Sequence, residues 1–109
     1  VENSCRLYPK KTAIHEGDRK VSYRELWELS GRVYAALKKA GIGIEDMVMI
    51  RMDSAASSII TMIGVLRACA AFVITTSRYN DEQAGYQYAD CGCKVLINDR
   101  VFANMLEVS

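Results

Sequence analysis

With 109 residues, half of them apolar and a quarter charged, the chain has the makeup of one small soluble domain or of a piece of a larger one. Its net charge of +1, from 14 basic and 13 acidic residues, argues against nucleic acid or an anionic surface as a partner. Four cysteines and one histidine neither make a disulfide scaffold nor complete a four-ligand zinc site, so free thiols in a cytoplasmic protein are expected.

The chain opens with VENSCRLYPKK, which reads as the tail of a helix whose start is missing, and a fragment of a longer polypeptide is expected. Thr12 to His15 is a short β-leaning run, Glu16-Gly17-Asp18 a turn, and Arg19 to Tyr23 a second strand, which together make a hairpin. Ser22-Tyr23-Arg24-Glu25 is a capping box, in which the Ser hydroxyl and the Glu carboxylate each take a free amide. Leu26, Leu29, Val33 and Leu37 then repeat at helical spacing, with Tyr23, Trp27 and Tyr34 widening the apolar face. Lys38 and Lys39 suit the last turn, and Gly41 stops the helix.

Met47 to Met52 is a strand candidate, and Asp53 and Ser54 can cap a helix from Ala55 to about Ala68. That helix is apolar nearly all round, as packing on more than one side requires. Ala71 to Thr75 reads as a strand. Asn80, Asp81 and Glu82 open a helix that runs to about Cys91, with Gly92 at its end. Lys94 to Ile97 is a further strand, and Val101 to Val108 a last helical turn or two. Strands separated by helices imply parallel pairing, and the fold class is α/β, a hairpin followed by β-α-β-α-β layers. The three apolar strands suit sheet positions covered on both faces. No membrane span is expected. In Ser54 to Thr76 the charge of Arg67 lies past the middle, at roughly 2.5–3.5 kcal/mol, and the helical period gives way to a β-branched run.

Parallel α/β sheets bind ligands beyond the carboxyl ends of their strands. Asp53 to Ser58 combines small residues with a helix N-terminus, which suits capping first and an anion second. It lacks the glycines and lysine of a phosphate loop. Thr76-Ser77-Arg78-Tyr79 reads as a solvated loop that can also touch an anion, and Asn98-Asp99-Arg100 as a turn with a helix cap. His15 lies in the hairpin, away from any nucleophile, and reads as an ordinary strand residue. Cys91-Gly92-Cys93 has one intervening residue, too few for the common zinc loops. No catalytic, cofactor-binding or metal-binding residue is assigned.

Two stretches carry a resemblance. Val21-Ser22-Tyr23-Arg24-Glu25-Leu26 is similar to the first core motif of adenylate-forming enzymes, L-[TS]-Y-x-E-L. Leu66-Arg67-Ala68-Cys69-Ala70-Ala71-Phe72-Val73 resembles the second, L-K-A-G-x-A-Y-V, which P-[IL]-D-P usually follows. The chain most resembles the amino-acid-activating adenylation domains of nonribosomal peptide synthetases, over nearly its whole length, as a single partial domain of residues 1–109. Three departures cluster together. Cys69 replaces a glycine, Ile74-Thr75-Thr76-Ser77 replaces P-[IL]-D-P, and Asn80 stands where a further proline is common. Where the loop keeps the family's shape, restoring one proline, Ser77→Pro, is expected to stabilise the chain by roughly 0.4–1 kcal/mol, read as a raised denaturation midpoint.

The resemblance implies an ATP-dependent ligase. A carboxylate, here of an amino acid, attacks the α-phosphate of Mg-ATP to give an acyl-adenylate, and a thiol, often a carrier-protein phosphopantetheine, then takes the acyl group. In that family the nucleotide loop, substrate pocket and C-terminal lysine lie downstream of both motifs, so this chain alone is expected to be inactive. Its implied partners are the remainder of the adenylation domain and a carrier protein. The rival expectation is a stand-alone, non-catalytic copy acting as an interaction or scaffold module, self-associating through an exposed sheet edge.

Overall fold

The computed structural model describes residues 2–75 and 80–107. Its elements run α1 (Glu2–Leu7), β1 (Thr12–Glu16), β2 (Arg19–Ser22), α2 (Tyr23–Lys39), β3 (Met47–Arg51), α3 (Ala55–Arg67), β4 (Ala71–Thr75), α4 (Asp81–Asp90), β5 (Cys93–Asn98) and α5 (Asp99–Glu107). β1 and β2 form the antiparallel hairpin. β3 pairs in parallel with β4 on one side and β5 on the other, giving the order β4-β3-β5.

The capping box forms as read. The Ser22 hydroxyl accepts from Glu25 N at 3.1 Å and Glu25 Oε1 accepts from Ser22 N at 3.2 Å, so β2 gives way to α2 at Tyr23. Along α2 the buried stripe is Leu26, Ser30, Val33 and Leu37, with Leu29, Tyr23 and Tyr34 at its margins. A second box, Asn80 with Gln83, opens α4. α5 begins at Asp99, two residues before the expected start, because Asn98 Oδ1 accepts from Val101 N at 2.9 Å and caps the turn.

α2 and α3 cross in close contact. A β-carbon on Gly64 would lie 2.6 Å from both Val33 Cβ and Cγ1 and 3.0 Å from the Ser30 carbonyl oxygen. Glycine is what lets the two backbones approach so nearly. At the same crossing the Arg67 guanidinium stacks on the Trp27 ring, 3.6 Å from its centroid. Its Nη1 donates to the Trp27 carbonyl at 2.9 Å and to Ser30 Oγ at 3.0 Å. The charge that argued against a membrane span is thus a clasp between two helices. No helix among the described residues is long and apolar enough to cross a membrane.

α2 and α3 end alike. Ile42 N donates to Leu37 O and Gly41 N to Lys38 O; Ala70 N donates to Val65 O and Cys69 N to Leu66 O. This paired closure needs a left-handed residue just past the cap. Gly41 supplies it at φ 81° without strain, whereas Cys69 is held at φ 62°. A side chain in that region costs about 1–2 kcal/mol, and the exposed Cys69 thiol offers little packing in return. Cys69→Gly is therefore expected to raise stability by about 1 kcal/mol, measured as an upward shift of the urea midpoint.

The core lies between the sheet and the layer of α2, α3 and α5, around Leu26, Val33, Leu37, Val48, Ile50, Ile60, Val65, Ile97 and Phe102. β3 is buried from Val48 to Ile50. β4 and β5 depart from the expectation of strands covered on both faces. They are the edges of the three-stranded sheet, and Ile74 on β4 is 48% exposed.

Candidate functional site

Arg51, Thr75 and Asn98 stand in register at the carboxyl ends of β3, β4 and β5. α4 leans over this end. Between it and the sheet is an open cavity of about 470 Å³, with Met49, Leu96, Ala84 and Tyr88 supplying apolar walls and Arg51 and Asp81 a charged rim. Arg51 Nη1 meets Asp81 Oδ1 at 2.7 Å, tying β3 to the first turn of α4. The buried Thr75 hydroxyl finds no hydrogen-bond partner among the described residues. A smaller cavity of about 270 Å³ adjoins over Asp53 and Asn98.

Of the three loops singled out in the sequence, those after β3 and β5 lie at or beside this edge. At the first, a carboxylate from the chain itself fills the α3 N-terminus. Glu16 Oε2 accepts from Ala55 N at 2.7 Å, and Glu16 Oε1 accepts from Ser54 Oγ at 2.8 Å and from Ala56 N at 3.2 Å. Arg19 Nη1 adds a bond to Ser57 Oγ at 3.2 Å. The expected turn residue Glu16 is thus the last residue of β1 and the tertiary cap of a helix 39 positions away. The anion suggested for Asp53 to Ser58 is this side chain. The second loop, 76–79, lies outside the described residues, as does the Ser77→Pro site. At the third, Asn98 is the cap that was read, but no turn intervenes, because β5 ends at Asn98 and α5 begins at Asp99.

His15 is exposed on β1 opposite Lys20, an ordinary strand position. Cys69, Cys91 and Cys93 carry free thiols. Among the described residues no group of three or more His, Cys, Asp or Glu is placed to hold a metal ion.

Two carboxylates are held below their ordinary range. For Glu16 the first cause is the Ser54 hydroxyl bond, followed by the amides of Ala55 and Ala56. For Asp46 it is the bond with Lys94 Nζ at 2.6 Å, followed by Gly43 N at 2.8 Å; Lys94 is raised in return by the same Asp46 contact. Asp46 also offers its carbonyl to Ala71 N, so it binds the starts of all three parallel strands. A carboxylate depressed on folding stabilises above its unfolded pKa, and that contribution fades as the pH falls through the folded value. Acid should therefore loosen the chain from about pH 4.5 downward. Glu16→Gln is expected to lower the urea midpoint at pH 7 and to flatten its fall between pH 5 and 3; an unchanged slope would contradict this role.

The described residues do not fit a magnesium nucleotide. Glu16 occupies the α3 N-terminus, Asp81 engages the rim arginine, and Asn98 is committed to Val101. No phosphate cradle is left at this edge from these groups.

The family model described as AMP-binding enzyme matches residues 1–108. Surfactin synthase subunit 2 of Bacillus subtilis (strain 168) is 32% identical over 100 residues, covering 91% of this chain. Bacitracin synthase 1 of Bacillus licheniformis is 30% identical over 105 residues, covering 96%. The chain spans only 3% and 2% of the lengths of these two relatives. Among solved structures, the N-terminal subdomain of Klebsiella oxytoca NpsA in complex with 3-hydroxyanthranilyl-AMSN superposes with a TM-score of 0.87 at 22% identity, over 98% of this chain and 29% of that one. O-succinylbenzoate coenzyme A synthetase (MenE) of Bacillus subtilis, in complex with AMP, gives 0.88 at 16% identity, over 99% and 32%. The hairpin and the β4-β3-β5 sheet thus have the fold of a part of the N-terminal subdomain of adenylate-forming enzymes. With surfactin and bacitracin synthases among the proteins it is similar to, the chain belongs to the AMP-binding enzyme family.

Proposed function

We propose that these residues are the structural front of an ATP-dependent ligase that activates an amino acid as its acyl-adenylate and passes it to a carrier thiol. The observation that carries this reading is the match of the family over residues 1–108 together with peptide synthetases as relatives. An artificially fused adenylation–PCP di-domain of NpsA and ThdA, similar in fold at a TM-score of 0.89, supports a carrier domain as the partner. In this role the two sequence motifs build scaffold. Ser22 and Glu25 start α2, and the Leu66–Val73 stretch turns α3 into β4. ATP, magnesium and the acid would be held by residues outside this chain, which on its own is inactive.

A second reading rests on the open sheet edges. β4 and β5 are both edges and Ile74 is exposed, as a self-associating, non-catalytic copy would require. Sequencing the native transcript past the Ser109 codon separates the two. A downstream Ser/Thr/Gly-rich loop ending in Pro-Lys-Gly supports the ligase. A stop codon soon after Ser109, with a dimer in sedimentation, supports the scaffold.

A further inference from the structure

Where α4 meets β5, two thiols stand one residue apart. Cys91 is the C-cap of α4 at φ −83°, Gly92 is left-handed at φ 66°, and Cys93 is the first residue of β5. The left-handed glycine folds the chain back, so two Cα steps of ~3.8 Å do not run in line, which suits the ~4.4–6.8 Å Cα separation of a disulfide. Both thiols are free, Cys91 exposed and Cys93 partly covered. After burial, Cys91 is the second cause that holds the Cys93 thiol above its ordinary range, as neighbouring sulfurs do. The pairing at the strand entry is irregular. In the β3–β5 ladder Met47 pairs with Cys93 and Val48 with Val95, skipping Lys94.

We propose that Cys91 and Cys93 form a reversible disulfide that latches the α4–β5 turn, with a small disulfide such as oxidised glutathione as the oxidant. The exposed Cys91 reacts first. Its thiolate attacks one sulfur of the oxidant and expels a glutathione thiolate, leaving a mixed disulfide on Cys91. The Cys93 thiolate then attacks the Cys91 sulfur and expels the second glutathione. Two protein thiols are oxidised, one glutathione disulfide is reduced to two thiols, and the protons pass to the leaving thiolates. The ring closes where Cys91 N donates to Gln87 O and Gly92 N to Ala89 O, the last bonds of α4. α4 walls the 470 Å³ cavity, so the latch sets how firmly that wall is held.

The test is mass spectrometry of the full 109-residue chain after equilibration with oxidised glutathione, alkylation of remaining thiols and digestion with trypsin. Cleavage after Arg78 and Lys94 isolates Cys91 and Cys93 in one peptide, apart from Cys5 and Cys69. The expected peptide has lost both thiol hydrogens, carries neither alkyl group nor glutathione, and regains two alkylatable thiols with dithiothreitol. Cys93→Ser should stop at the mixed disulfide on Cys91. A wild-type peptide that keeps glutathione on Cys91, stays fully alkylatable in oxidised glutathione, or links to Cys69 or to a second chain overturns the latch.

Discussion

Replacing Gly64 by alanine is expected to destabilise the protein by about 3 kcal/mol, the upper end of the range for overpacking a well-packed core. The added β-carbon would sit 2.6 Å from Val33 Cβ, an atom fixed to the α2 backbone, and 3.0 Å from the Ser30 carbonyl. Neither can turn away as a flexible side-chain end could, and Val33 is fully buried. The helices must separate, which loosens the Arg67 clasp and the core around Ile60 and Val65. Alanine is the better helix former by ~1 kcal/mol, but that gain is smaller than the clash. Gly85 on α4 provides the control, because a β-carbon there meets nothing within 4 Å. The same change at Gly85 should stabilise by up to about 1 kcal/mol. Urea unfolding of both variants, with midpoints moving in opposite directions, is the expected result. Equal shifts would mean that the α2–α3 approach is not what makes Gly64 special.

Arg67→Ala is expected to cost about 2 kcal/mol, from a partly desolvated cation–π contact and two charge-assisted hydrogen bonds. The loss is larger than for a surface ion pair because the buried Ser30 hydroxyl and the Trp27 carbonyl both lose the same donor. Arg67→Lys should recover less than half. An ammonium keeps the charge but lacks the planar fork that stacks on the ring while donating from its edge. Trp27 is the single tryptophan, so its fluorescence reports the contact directly. Emission of folded Arg67→Ala should move to longer wavelength as the indole face meets water. A double-mutant cycle with Trp27→Leu should give a coupling of about 1 kcal/mol. A coupling near zero would reduce Arg67 to a surface charge.

Both effects come from contacts far apart in sequence, and this marks what the sequence could disclose. Helix starts were legible, since Ser22 with Glu25 acts across three residues and leaves a local signature. So were the hairpin and the parallel strands, whose periods are written in neighbouring residues. Glu16 looked like part of a turn because its amide partners lie 39 and 40 positions on. Arg67 looked like a stray charge because its partner Trp27 is 40 positions back. The strand order was equally hidden, as nothing in β4 or β5 records that β3 lies between them. Cys69 was visible as a departure from the family motif, and the left-handed backbone explains why glycine is usual there.

At the candidate site, the sequence showed a helix N-terminus after β3, and folding places a carboxylate of the same chain on it. The carboxyl edge is consequently a frame of capped helices and tied strands.

We propose that these residues supply scaffold for adenylate chemistry completed by other residues. The most direct test grafts residues 1–108 in place of the matching segment of a bacitracin synthase 1 adenylation domain and measures amino-acid-dependent ATP–pyrophosphate exchange. Exchange is expected from the folded graft, with the acid preference of the host domain, and none from the 109-residue chain alone. Exchange by the isolated chain, or a folded graft that turns over no amino acid, would contradict it.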